Sequence, residues 1–150
     1  MGVKHMSNGL NKELKIFVYG TLMSGFYNNN KYLSGKVESI EKAWVNGKLY
    51  QQFMESYPSL LKGEDKVYGE LITLKNFEED IKDLDKLEEF LGEGNPKNLY
   101  HREVILANLE DNSKEEAYVY FFNVKDEKDF EESTMYIPHG DWRRYVAETR

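Results

Sequence analysis

The stretch Phe17-Val-Tyr-Gly-Thr-Leu-Met-Ser-Gly25, FVYGTLMSG, decides how this chain is read. Leu14 to Tyr19 form a short, near-continuous apolar run, the pattern of a central strand. At Gly20 that pattern breaks, and a second glycine follows at Gly25. After a strand ends at a glycine, successive N–H groups can point into one concavity and hold an anion or a developing oxyanion. The stretch is not a Walker A loop, because no Gly-Lys-Ser/Thr is present, and it is not a GxGxxG fingerprint. On local sequence alone, an ordinary strand-end turn accounts for it better.

Outward from this stretch, the pattern is one of strands around a single strong helix. Phe26 to Leu33 is Asn-rich and reads as one helical turn or a loop. Lys36 to Gln52 is strand-like, and Asn46-Gly47 at its middle predicts a two-residue hairpin turn. Tyr57-Pro58-Ser59-Leu60-Leu61 is extended, since proline restricts the residue before it. Val67 to Leu74 is β-rich, with Gly69 marking a bulge or a close backbone approach. Leu99 to Leu109 and Glu115 to Val124 are two further strands joined by Asp111-Asn112-Ser113. The tail after Asp126 is charged and partly helical, with Asp141 capping a last short helix through Trp142 and Tyr145. About six strands with one good helix predict an α+β domain whose sheet is curled or barrel-like.

The helix starts at Asn76, with Glu79 three residues on, as in a capping box. Phe77, Ile81, Leu84, Leu87 and Leu91 then recur at helical spacing. With ~100° per residue and Phe77 at zero, those positions fall within one stripe, and Glu88 falls inside it at about 20°. Asp85, Lys86 and Glu89 fall outside. An acid in the last turns of a helix opposes the dipole, and burial also disfavours its charge, so both raise its pKa. Such a carboxylate can take and return a proton near neutral pH. By periodicity alone, a frayed end with Glu88 in water, or an ion pair with Arg102 or Lys86, is the plainer reading.

Tyr100, Arg102, Val104 and Leu106 alternate onto one face of their strand, and Tyr118, Tyr120 and Phe122 onto one face of theirs. Aromatics so placed are usually core. Arg102 on such a face needs a partner, and Glu88 or a substrate carboxylate would serve. His101 alternates to the other face and reads as a surface residue. No Ser lies in a GxSxG context.

Composition narrows the classes. The chain has 150 residues, a formal net charge of −7 and an apolar fraction of 40%, which suits one domain with a real core. The acidic balance disfavours nucleic-acid and anionic-membrane binding. There is no cysteine, so disulfides, thiolate metal sites and a Cys nucleophile are excluded. His5, His101 and His139 lack metal-ligand spacing. No apolar run is long enough to span a bilayer, and the expectation is a soluble, cytoplasmic protein. Residues 1–9 read as a tag remnant and disordered N-terminus, and residues 10–150 as a single domain.

FVYGTL, then YPSL, VYGELITL and LDKLEEF…LYHREV occur in that order. Over residues 14 to 125 this combination resembles the γ-glutamylcyclotransferase-like family, especially its AIG2-like branch acting on γ-glutamyl amines. The C-terminal GDWRRY is also similar to tails of bacterial members. The resemblance implies a small mixed β-barrel with flanking helices, and an enzyme that releases 5-oxoproline from a small γ-glutamyl compound. In that reaction the substrate's own α-amine attacks its γ-carbonyl. Glu88 matches the family glutamate in Leu84-Asp-Lys-Leu-Glu88 and is implied as general base and acid. Tyr19, Gly20, Thr21 and Leu22 match the loop that holds the glutamyl end. Tyr120 matches a pocket-facing tyrosine, with Tyr100 and Arg102 as further substrate-binding candidates. No metal or cofactor is implied. Two rivals stand beside this reading: a noncatalytic module binding a small carboxylate, and a hydrolase using Glu88 to activate water. The chain departs from the family where Glu89 replaces the usual Gly, and where Gly92 to Leu99 looks long. A second acid there raises the pKa of Glu88 or repels an anionic substrate.

Overall fold

The computed structural model describes residues 14–55 and 57–149; the expected tag remnant at residues 1–9 lies outside the described residues. In chain order the elements are β1 (Lys15–Val18), α1 (Tyr27–Leu33), β2 (Val37–Gln52), β3 (Pro58–Leu74), α2 (Phe77–Leu87), β4 (Tyr100–Leu109), β5 (Lys114–Phe122), α3 (Glu127–Ser133), β6 (Thr134–Ile137) and α4 (Trp142–Thr149).

The apolar run of β1 is explained by its position. It lies antiparallel to β3 on one side and parallel to β5 on the other, and Ile16, Phe17 and Val18 are buried. β5 pairs with β4, β4 with β2, and β2 with β3, all antiparallel. These pairings close a ring of β3, β1, β5, β4 and β2, and β6 adds to β2. The fold is therefore the expected α+β type, a small mixed barrel with flanking helices. Ile16, Val45, Leu71 and Val119 are among its most deeply buried apolar residues. Among the described residues, no helix is long and apolar enough to cross a membrane.

Asn46-Gly47 forms no hairpin turn. β2 runs through it unbroken, and the turn to β3 comes between Gln52 and Pro58. The register against β3 jumps there instead, from Gly47 opposite Asp65 to Lys48 opposite Leu61. A Cβ on Gly47 would stand 2.8 Å from Leu60 Cδ1 and 3.0 Å from the Leu61 carbonyl. Its glycine serves close packing at a bulge. Gly69 does the same, since a Cβ would come 2.2 Å from the Val18 carbonyl.

Helix α2 starts and ends differently from its periodic pattern. The Asn76 side chain caps no backbone N–H; its Nδ2 donates to Glu79 Oε1 at 3.2 Å. At the other end the helix stops at Leu87, and Leu91 is 62% exposed. The cause is a Schellman cap. Glu89 N–H donates to the Lys86 carbonyl at 3.1 Å and Phe90 N–H to the Asp85 carbonyl at 2.8 Å. Glu89 sits at C′ with φ 53°, the left-handed position where glycine is usual. The buried Asn98 side chain then takes up the departing chain, accepting from Leu91 N–H at 2.5 Å and donating to the Gly92 carbonyl at 2.8 Å. At the C-terminus, Asp141 Oδ1 accepts from Arg144 N–H at 3.1 Å, the expected cap of α4.

Candidate active site

The Schellman cap that ends α2 also aims Glu88. As the C-cap residue, at φ −87° and ψ 2°, Glu88 closes the last turn while its side chain stays on the inward stripe. It lines a pocket of about 110 Å³. Facing it are the residues that follow β1: Tyr19, Gly20, Thr21 and Leu22 line the same pocket, with Tyr57, Pro58, Tyr100 and Tyr120 completing its walls.

The loop after Tyr19 is a built feature. Gly20 is glycine because Pro58 presses on it; a Cβ would stand 2.6 Å from Pro58 Cδ. The YGTL and YPSL segments therefore meet at van der Waals contact. The loop's carbonyls are turned away. Gly20 C=O accepts from Met23 N–H at 3.0 Å and Thr21 C=O from Asn29 N–H at 3.1 Å. Leu22 C=O accepts from Asn29 Nδ2, and Thr21 Oγ1 from Asn28 Nδ2, each at 2.8 Å. In a trans peptide the N–H points opposite the C=O, so Thr21 and Leu22 N–H are directed away from those partners. Among the described residues, neither has a hydrogen-bond partner. The Asn-rich segment is thus α1, which holds the loop from behind.

The electrostatics single out Glu88. Burial of its carboxyl, and then the charge of Asp85 one turn earlier, push its pKa from 4.5 up to about 8. Glu89, expected to add to this, contributes to the field at Tyr57 instead. Burial also raises the phenols of Tyr19, Tyr100 and Tyr120 well above their ordinary value, so all three keep their protons as donors. Tyr19 OH donates to the Tyr120 carbonyl at 2.6 Å, Tyr100 OH to the Pro58 carbonyl at 2.9 Å, and Tyr120 OH to Asp85 Oδ1 at 2.7 Å.

Arg102 does not line the pocket. It pairs with Asp85, and its guanidinium stacks on Phe90 and Tyr118 at 4.7 and 5.3 Å. The partner, expected to be Glu88 or a substrate carboxylate, is Asp85, because the helix turns Asp85 toward β4 and β5 while Glu88 faces the cavity. Arg102, Asp85 and Tyr120 thereby tie the end of α2 to the sheet. Val104 and Leu106, on the same strand face, lie beyond this contact and are 43% and 53% exposed. Three contributors were not anticipated as site residues: Asp85, Tyr57 and Asn28. Asp85 carried a signal in its spacing from Glu88; Tyr57 stood beside the quoted Pro58; Asn28 carried none. Among the described residues, no group of His, Cys, Asp and Glu could hold a metal ion.

The family described as gamma-glutamyl cyclotransferase, AIG2-like, matches residues 16–144. A gamma-L-glutamyl-butirosin B gamma-glutamyl cyclotransferase from Niallia circulans is 33% identical over 130 residues, covering 87% of this chain and 76% of that protein. The fold is similar to an AIG2-like protein from Mus musculus, with TM-score 0.66, 21% identity, and 86% and 87% of the two chains covered. It is similar also to an uncharacterized protein from Pyrococcus horikoshii, with TM-score 0.58, 20% identity, and 91% and 95% covered. The chain belongs to the AIG2-like gamma-glutamyl cyclotransferase family and is an enzyme of that class.

Proposed function

We propose that the protein releases 5-oxoproline from a small γ-glutamyl amine, with Glu88 moving the proton. The observation that carries this reading is that Glu88, whose carboxyl burial pushes up to a pKa of about 8, lines one small pocket with Thr21 and Leu22, whose N–H groups have no hydrogen-bond partner among the described residues. A substrate α-ammonium cannot attack until it loses a proton, and a base of raised pKa is matched to that task. Ionised Glu88 takes the proton. The freed amine attacks the γ-carbonyl carbon, forming the ring C–N bond, and negative charge develops on the carbonyl oxygen. The Thr21 and Leu22 N–H groups are suited to hold that oxygen. Protonated Glu88 then gives its proton to the amide nitrogen as the C–N bond breaks. Products are 5-oxoproline and the free amine, with no water consumed.

The pocket has room for a glutamyl group, and the amine half of the substrate extends through the mouth. The Niallia circulans relative is named for a γ-glutamyl group on butirosin B, which supports a γ-glutamyl compound as the substrate. The test is a panel of γ-glutamyl amines and amino acids read out by 5-oxoproline. Release from at least one compound, abolished in Glu88→Gln, supports the reading. Free glutamate in its place points to the hydrolase, and ligand binding without turnover points to the binding module.

A further inference from the structure

The C-terminal GDWRRY lies outside the pocket, yet it ends on the loop that lines it. Gly140 has φ 68°, and a Cβ there would stand 2.0 Å from the Lys66 carbonyl, so glycine is what lets the chain come this close to β3. The Gly140 carbonyl accepts from Tyr68 N–H at 2.8 Å, and Asp141 forms a parallel bridge with Tyr68. Trp142 is fully buried. These contacts fix where α4 begins, and the next residue, Arg143, reaches across to the loop after β1.

Arg143 meets that loop at Ser24. Its Nη2 donates to the Ser24 carbonyl at 2.9 Å, and its guanidinium lies over the Phe26 ring at 5.0 Å. The same nitrogen pairs with Glu70 Oε2 at 3.3 Å. Glu70 grips Ser24 from the other side. Its Oε1 accepts from Ser24 N–H and its Oε2 from Ser24 Oγ, each at 2.7 Å. β3 sets Glu70 opposite Val18, the last residue of β1. Both donors and the carbonyl of Ser24 are thus taken by two charged side chains, and bonds to charged groups are the strong ones.

Thr21 and Leu22 stand between two fixed points. They are the central residues of a turn that Met23 N–H closes on the Gly20 carbonyl. Its Gly20 end rests on Pro58, and its Met23 end runs directly into Ser24. Where the two ends are held decides which way the central N–H groups point, because each peptide unit is planar and rigid. Arg143 is half-exposed, so its ion pair adds little to stability. A reacting group misplaced by ~1 Å, in contrast, costs about 100-fold in rate.

We propose that Arg143 and Glu70 are positioning residues: by gripping Ser24 they hold the Thr21 and Leu22 N–H groups toward the pocket. This rests on the cyclotransferase reading, in which those groups bind the developing oxyanion. Neither side chain lines the pocket, so both act through the loop.

Steady-state kinetics test it on whichever γ-glutamyl compound of the panel the wild-type protein turns over fastest. In Arg143→Ala and Glu70→Ala, kcat should fall about ten- to hundredfold with KM little changed, the mark of an interaction made in the transition state alone. Arg143→Lys keeps the charge without the fork, and Glu70→Gln keeps one acceptor for two donors, so both should lose less. The double alanine variant should lose less than the product of the single losses, because both residues act on Ser24. Arg144→Ala breaks an exposed pair with Glu148 on the same helix and should keep wild-type kcat. Wild-type kcat in the Arg143 and Glu70 variants, or a loss confined to KM, would overturn the proposal while leaving the cyclotransferase reading intact. If the alanine variants do not fold, Arg143→Lys and Glu70→Gln decide by the same criterion. If no compound yields 5-oxoproline, the cyclotransferase reading fails, and nitrogen-15 relaxation decides the grip on the loop. Lower order parameters at the Thr21 and Leu22 amides in Arg143→Lys and Glu70→Gln uphold it, and unchanged ones overturn it.

Discussion

Glu88→Gln should stabilise the protein at neutral pH and abolish its activity, and the size of the first effect follows from the site. The carboxyl is raised from 4.5 to about 8, so the folded state binds this proton more tightly than the unfolded state. Between those values the folded protein holds more protons, and linkage makes stability fall as pH rises through that window. Below pH 4 both states are protonated and the effect vanishes. At pH 7 the unfolded chain gains from ionising Glu88 while the folded one does not, a cost of about 3 kcal/mol at ~1.36 kcal/mol per tenfold. Water at the mouth lowers this to about 2–3 kcal/mol. Glutamine keeps the shape and never ionises. Urea unfolding of both proteins at pH 4 and pH 8 therefore gives similar midpoints at pH 4 and a clearly higher one for Glu88→Gln at pH 8. Equal midpoints at both pH values would show that Glu88 titrates as an ordinary surface acid, and the argument for its role would fail.

Other outcomes follow from the same geometry. The acid limb of kcat/KM should have its midpoint near pH 8, where Glu88 ionises; a limb near pH 4.5 would show that Glu88 ionises as an ordinary carboxyl and that burial does not shift it. Asp85→Asn removes the neighbouring negative charge and frees Arg102, and both lower the Glu88 pKa, so the limb should move to lower pH. A pH–rate profile that does not move would separate Asp85 from Glu88. Gly20→Ala drives a methyl into the Pro58 ring, 2.6 Å away. Overpacking of this kind costs about 1–3 kcal/mol, read as a lower urea midpoint together with a raised KM. Glu89→Gly should raise stability by about 0.5–1 kcal/mol by relieving its left-handed backbone, measured by the same unfolding curve.

What local pattern controls was legible in the sequence. β1 read as a central strand because it is flanked by β3 and β5, which buries Ile16, Phe17 and Val18. Glu88 stood out because the helical period is fixed by backbone geometry, and its inward phase survives even though the helix stops one residue earlier. Features set by distant contacts were not legible. Asn46-Gly47 carries turn chemistry, yet the bulge opposite it in β3 is what requires its glycine. Leu91 fits the helical stripe, but Glu89 and the buried Asn98 lead the chain away before it. Asp85 was not legible as the partner of Arg102, for which Glu88 or a substrate carboxylate was expected, because which of two acids one turn apart meets the sheet depends on how α2 docks on it. Tyr57 and Asn28 lie at the pocket from irregular or short segments that have no period to read. The need for glycine at Gly20 comes from Pro58, a distant residue in sequence that packs against it.

The most direct test of the account is the reaction run in water enriched in oxygen-18 with a γ-glutamyl amine, followed by mass spectrometry of the released acid. Attack by the substrate's own amine yields 5-oxoproline carrying no label, formed in step with the free amine and absent in Glu88→Gln. Glutamate bearing one labelled oxygen, or full turnover by Glu88→Gln, would contradict it.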